Sequence, residues 1–424
     1  PGGRGRAAGA SGAVGENGPV TVWDALVGQD AVVATLSSAA AASALVATEG
    51  PLAAARAGMT HSWLFTGPAG SGRSVAARAF AAALACERTP PGCGDCTGCR
   101  TVLSDTAADM RTVRPEGLSI GVKDVRALIR DAASAPTAGR WRILLVEDAD
   151  RFTDAAANAL LKALEEPAER AVFLLCAPSV DDVLPTIRSR CRHIRLRLPP
   201  VEDVAAVLVR EGVEESLARV AAHAAQGHVG RARRLATDAQ ARERRAAVLR
   251  LPGRLRRVGD CVAAAADLVD AAHAEAQAAN AERDEAEAEA LKTALGVGAT
   301  GSGGRSGRGK GRTLQVRGVA TALKELERAQ KSRGRRTVLD SLDRALIDLA
   351  GLYRDALVAQ LRAPVAPVHP DHAQQAAELA AGATPEQTLR RLEAVLATRR
   401  ALADNPGLVP QLAVESLTLA LRDA

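Results

Sequence analysis

Residues 64–80, LFTGPAGSGRSVAARAF, constrain the fold of this chain most, because a strand, a glycine turn and a helix follow one another within a phosphate-loop frame. Gly67, Gly72 and Ser74 occupy the positions that G-x-x-x-x-G-K-[ST] requires, with Gly70 between them, but Arg73 stands where the frame has lysine. Glycines let backbone N–H groups close round an anion, and the helix start adds a favourable field. Lysine brings a compact cation to the outer phosphates, whereas arginine is larger, planar and forked, so the exchange is not conservative. The motif predicts a strand from Trp63 to Thr66 and a helix reaching about Ala85. The bland alternative is a glycine-rich turn that only packs a helix on a sheet.

The segments that follow repeat the alternation. Ile120, Val122, Val125, Leu128 and Ile129 fall at helical spacing, and Ile143 to Val146 read as a buried parallel strand. Glu147 and Asp148 close that strand, at the end where an α/β sheet gathers ligands and where carboxylates hold Mg²⁺ or activate water. Such a pair can equally cap the next helix. DAAANALLKALEEP (154–167) predicts a helix stopped by Pro167, AVFLLCAPS (171–179) a further buried strand, and the segment up to 198 a helix and one more strand. Alternation over residues 62–198 predicts a parallel sheet with helices on both faces.

Four of the seven cysteines, Cys86, Cys93, Cys96 and Cys99, stand as C-x6-C-x2-C-x2-C among Gly and Pro. Four soft ligands leave no open coordination position, so the expected occupant is a structural zinc ion. Disulfides are the alternative. The first residues lack the apolar core of a secretory signal, and the missing initiator Met points to a truncated or processed start. A cytoplasmic address is therefore expected, with thiols kept reduced. The net charge of +6 suits nucleic acid or acidic protein partners equally.

Residues 1–19 are Gly-rich and read as a disordered tail, with the ordered base at 20–198. A helical lid is expected at 199–240 and a helical domain at 241–424. The latter carries a flexible insertion at about 279–312, acidic and helical in pattern over 279–292 and then a Gly/Arg-rich linker over 296–312. Helices in ALKELERAQ, VLDSLDRALIDLAGLYRDALVAQL and further segments to the C-terminus predict a bundle. Ten arginines between Arg231 and Arg257 form a basic stretch that reads as a DNA-facing surface, a solvated face or a partner contact.

GPAGSGRS, VEDAD, NALLKALEEP and Ser189-Arg190-Cys191 together resemble bacterial clamp-loader subunits of the AAA+ class, and among these the delta-prime subunits of DNA polymerase III. The likeness covers roughly residues 20–235, with GQD at 28–30 similar to the adenine-side box. It implies an AAA+ base, a lid and an all-α C-terminal collar. It also implies tau/gamma and delta subunits as partners in a hetero-oligomer acting on a sliding clamp and primer-template DNA. Arg190 matches the family's arginine finger, which reaches a neighbour's nucleotide; an ion-paired surface arginine is the plain alternative. Departures from the ATP-hydrolysing members lie at Arg73, at Glu147-Asp148 in place of Asp-Glu, at Ala177-Pro178 in place of a sensor threonine, and at Gly230, with Arg231 one residue late for the lid arginine. The resemblance thus implies a degenerate ATP site in a non-hydrolysing subunit. An active tau/gamma-type ATPase and a DNA-binding adaptor remain as alternatives.

Overall fold

The computed structural model describes residues 21–47, 49–115, 119–294, 311–405 and 407–423. The tail expected at 1–19, and the part of the Gly-rich linker at 295–310, lie outside the described residues.

Two helices, α1 (Asp30–Ser43) and α2 (Pro51–Arg56), precede the sheet. Strand β1 (Ser62–Thr66) leads through the glycine turn into α3 (Arg73–Ala85), and α4 (Thr97–Leu103) follows. Then come β2 (Met110–Val113), α5 (Val122–Ala132), β3 (Arg142–Val146), α6 (Asp154–Glu165), β4 (Ala171–Ala177), α7 (Pro185–Arg188) and β5 (Arg192–Arg195). All pairings are parallel and the order is β2-β3-β4-β1-β5. Side chains alternate between the faces, as a pleated strand requires. Trp63, Phe65, Ile143, Leu145, Val172 and Leu174 meet α1, α3 and α4 on one side. Leu64, Leu144, Val146, Phe173 and Leu175 meet α5 and α6 on the other.

Burial on both faces explains the near-continuous apolar runs of β3 and β4. Alanines 76, 77, 79 and 81–83 in α3 are buried and let this helix lie close to the sheet. Trp63 packs edge-on against Phe80 with centroids 4.8 Å apart, and burial of each such ring contributes about 2–3 kcal/mol. Thr153 Oγ1 accepts the Ala156 N–H and fixes the start of α6. The fold is the α/β module with helices on both faces that the sequence predicts.

Helices α8 (Val201–Arg210), α9 (Glu215–Ala225) and α10 (Val229–Thr237) enclose a small core around Leu208, Ala222, Ala232 and Leu235. Beyond it, α11 (Ala239–Arg250) leads to α12 (Val258–Ala294), α13 (Gly311–Leu361), α14 (Ala373–Ala381), α15 (Pro385–Asp404) and α16 (Pro410–Asp423). These share a core of Cys261, Leu342, Leu346, Leu349, Tyr353, Val395, Val414 and Leu417. Among the described residues no helix is long and apolar enough to cross a membrane.

Two expectations need correction. Residues 279–294 belong with α12 and not with a flexible insertion, in keeping with the helical pattern of 279–292, because Ala, Glu and Lys favour helix and Arg333 of α13 bonds Asp284 at 2.6 Å and Glu287 at 2.8 Å. Gly311 and Arg312 likewise belong to α13. The two predicted helices ALKELERAQ and VLDSLDRA… are one helix, since KSRGRR between them stays helical and Gly334 lies in open space, where its missing side chain costs no contact.

Candidate functional site

The C-terminal ends of β1, β3 and β4 lie side by side, with Thr66 opposite Ala177 and Val146 opposite Leu175. They bring the phosphate loop, Glu147-Asp148 and Ala177-Pro178 together at one edge of the sheet. Gly72 precedes α3 at φ 85° and Gly70 lies at φ 90°, both left-handed and suited to glycine. Space is also short. A Cβ on Gly67 would stand 2.5 Å from Ser71 Oγ, and a Cβ on Gly70 would stand 2.6 Å from the His228 Cβ. The lid therefore rests directly on the loop. His228 starts α10, its Nδ1 accepting the Arg231 N–H at 3.2 Å, and burial followed by the charge of Arg231 holds its pKa below the usual histidine value.

The altered loop residue has no protein partner for one of its nitrogens. Arg73 opens α3, its Nη1 is buried with no protein partner, and its charge acts on both Cys176 and Asp150. Burial drives the pKa of the neighbouring Cys176 thiol far up. The phosphate side of the cleft thus keeps two buried side-chain groups without a protein partner, Arg73 Nη1 and Ser71 Oγ.

The acidic pair is arranged differently. Glu147 Oε1 accepts from Arg78 at 3.3 Å and from Arg114 at 3.2 Å, and both arginines also pair with Asp105. Asp148 sits at φ 55°, a left-handed conformation that costs a non-glycine residue about 1–3 kcal/mol. Its Oδ2 takes the Arg336 guanidinium from α13 at 2.5 Å. Neither acid caps a helix through its side chain: Asp148 makes no cap bond, and α6 is capped by Thr153. Nearby Asp150 has its pKa raised by burial first and by Asp148 second, and its Oδ1 has no protein partner.

Two further departures have structural roles. The Pro178 carbonyl accepts the Gly67 N–H at 3.2 Å, pinning the loop where the resemblance would place a sensor threonine. Arg231 points away from the loop to Asp348 of α13, with both side chains at least nine-tenths buried. Gln29 of the GQD box is buried, its Nε2 donating to the Arg197 carbonyl at 2.6 Å, so it ties the N-terminal segment to the strand leading into the lid.

Cys86, Cys93, Cys96 and Cys99 converge with all sulfurs within 4.8 Å of one another. The Cys86–Cys93 and Cys86–Cys96 separations, 3.6 and 3.9 Å, bracket the roughly 3.8 Å that a tetrahedron of 2.3 Å Zn–S bonds requires. All four are free thiols in this structure. Backbone N–H groups of Arg88, Cys96 and Cys99 point at the sulfurs. At Cys86 burial pushes the thiol pKa up, but N–H groups including those of Cys93, Gly92 and Arg88 outweigh it and bring it to about 6. The four cysteines could hold a metal ion such as zinc. The module is anchored by Val22 N–H to the Gly92 carbonyl at 2.9 Å and by Trp23 against Gly92.

Arg190 follows α7 on the outside of the base. Its Nη2 meets Glu165 at 2.5 Å and its Nη1 donates to the Thr186 carbonyl at 2.7 Å, with 34% of the side chain exposed. No contact ties it to the chain's own loop among the described residues.

Eight of the ten arginines from Arg231 to Arg257 end on partners within the chain. Arg234 and Arg244 share Glu275, Arg245 forks onto Asp371, Arg233 pairs with Glu211, and Arg254 with Asp267. Arg231 pairs with Asp348, Arg250 with Glu243, and Arg242 donates to the carbonyls of Leu235 and Ala236. The stretch is mainly the glue between lid and collar. Arg78, Arg114, His228 and Arg336 were not singled out in the sequence. The one visible hint was the four-residue spacing of Arg336, Asp340, Arg344 and Asp348 on α13.

Residues 52–200 match the family described as "DNA polymerase III, delta subunit". The chain is 37% identical over 188 residues to the DNA polymerase III subunit gamma/tau of Mycobacterium bovis, covering 44% of this chain and 30% of that protein. It is 37% identical over 148 residues to the subunit delta′ of Pseudomonas aeruginosa, covering 34% and 45% respectively. With the subunit delta′ of Bacillus subtilis the identity is 29% over 194 residues, covering 46% and 59%. The chain thus spans less than two thirds of the length of each.

Proposed function

We propose that this chain, which matches the DNA polymerase III delta-subunit family over residues 52–200 and is similar over part of its length to gamma/tau and delta′ subunits, is the non-hydrolysing, delta-prime-type member of a clamp-loader assembly. In this reading it stabilises the hetero-oligomer that loads a sliding clamp on primed DNA and lends Arg190 to a neighbour's ATP. One observation carries the reading: the carboxylates that a hydrolysing site must offer to a metal ion and a water are bonded to Arg78, Arg114 and Arg336. Arg73 in place of lysine and His228 against Gly70 point the same way. Arg190, by contrast, is exposed and held by one equally accessible carboxylate, as a group supplied to another subunit must be. In this reading zinc in the four-cysteine module has a structural role.

The gamma/tau likeness favours a second reading, an active ATPase. Turnover by the isolated chain, abolished by Ser74→Ala, would establish it in place of ours. The finger is tested in the reconstituted assembly, where Arg190→Ala should slow DNA-stimulated ATP hydrolysis; an unchanged rate removes Arg190 from the proposal.

A further inference from the structure

We infer that Arg336 is the resident cation of the acidic pair, so that seating of the collar helix α13 and loading of a divalent cation at Glu147-Asp148 exclude each other. The inference deepens the non-hydrolysing reading of the cleft, and it concerns the cation side alone.

Arg336 divides its fork between two acceptors from the base. Nη2 meets Asp148 Oδ2 at 2.5 Å and Nη1 meets the Pro115 carbonyl at 2.6 Å. One charged and one neutral acceptor fix the guanidinium plane, which a point charge such as lysine could not match. The helix that carries it is itself held. Arg336, Asp340, Arg344 and Asp348 recur every four residues and so share one face of α13. Further along this face Arg344 reaches Glu275 at 2.8 Å, and Asp348 takes Arg231 of α10. One stripe of alternating charge therefore engages the base at one end and the lid at the other.

A small divalent ion needs carboxylate oxygens at about 2.1 Å and dehydrates only for well-placed ligands. Asp148 Oδ2 already carries a guanidinium, and Glu147 Oε1 carries two. An ion that takes Asp148 Oδ2 as a ligand must displace the Arg336 guanidinium from that oxygen, and with it one of the two base contacts of Arg336. A cleft of this composition does not fit a metal–nucleotide while the collar is seated.

The test is Mn²⁺ binding to the full chain followed by electron paramagnetic resonance. Mn²⁺ is a hard ion that prefers oxygen ligands to the four thiols. Arg336→Gln should bind Mn²⁺ at least tenfold more tightly than the wild type, and adding Asp148→Asn should remove the gain. Equal affinity in wild type and Arg336→Gln, or a gain that survives Asp148→Asn, overturns the inference. Should the glutamine variant not fold, Arg336→Met keeps the aliphatic stem and should show the same rise. The readout involves neither Arg190 nor the assembly, so its failure is separable from failure of the finger.

Discussion

Arginine serves two opposite ends in the base of this protein. In the cleft, Arg78, Arg114 and Arg336 finish on Glu147 and Asp148, drawing in groups from α3, the segment after β2 and the distant collar. At the turn after α7, Arg190 lies at the surface against Glu165, with 34% and 46% of the two side chains exposed. Exposed pairs of this kind contribute about 0–1 kcal/mol, so a partner can take the arginine at little cost. The cleft is closed from within and the turn is open to a neighbour. The same side chain is a lock where its partners are internal and, in the proposed reading, a tool where they are not.

The largest effect that would break this comparison is Arg190→Ala in the assembly. Arginines supplied in trans accelerate phosphoryl transfer by about 10³ to 10⁵, and a loss of that order is expected at the neighbouring site, measured as single-turnover ATP hydrolysis. The thermal stability of the chain itself should hardly move, because the pair with Glu165 is exposed. A large loss of stability with normal turnover would make Arg190 a structural residue.

The next effect separates the scaffold from both regions. Cys96→Ser removes one of four sulfurs and a cap of α4, whose Cys99 N–H it accepts. The base should lose about 2–4 kcal/mol, as expected for loss of a structural metal ligand, measured by denaturant titration. Turnover at the neighbour should persist at temperatures where the variant is folded.

A smaller effect follows from pH. His228, against Gly70, and His369, between Arg245 and the Asp348 carbonyl, both have pKa values lowered by burial first and by nearby arginines second. A histidine whose folded pKa is depressed gives stability that is present above the unfolded value near 6.5 and is lost as pH falls below it. Hydrogen exchange over 228–237, corrected for intrinsic rates, should therefore accelerate between pH 7 and pH 5. Exchange at the Arg190 turn, whose pair contains no histidine, should change less. Equal behaviour at both sites would deny that the cleft is held by the lid.

The core of the base was legible because its signals are local. Strand, glycine turn and helix at 62–85, the apolar run 143–146 and the cysteine spacing each lie within a few dozen residues. The weakest strand, Met110–Val113, escaped because it is a half-exposed edge with no clean alternation. The cleft was legible only as a list of departures. What closes it comes from far along the chain: Arg336 lies 188 residues beyond Asp148, and no period in the sequence links them. The basic stretch misled in the same manner, since the carboxylates that neutralise it stand on α12, α13 and the segment after α13.

The smallest expected effect is the most informative about the loop. Arg73→Lys restores the consensus phosphate loop, and if the loop alone silenced the chain, turnover should appear. The geometry argues otherwise. Lysine would still face His228 packed close over Gly70 and carboxylates already held by three arginines. The arginines bear on a requirement that the loop residue does not touch, the acids that bind the metal ion and orient water. Turnover by Arg73→Lys should therefore stay at background in a sensitive phosphate-release assay, while a measurable rate would reduce the closed cleft to one substituted residue.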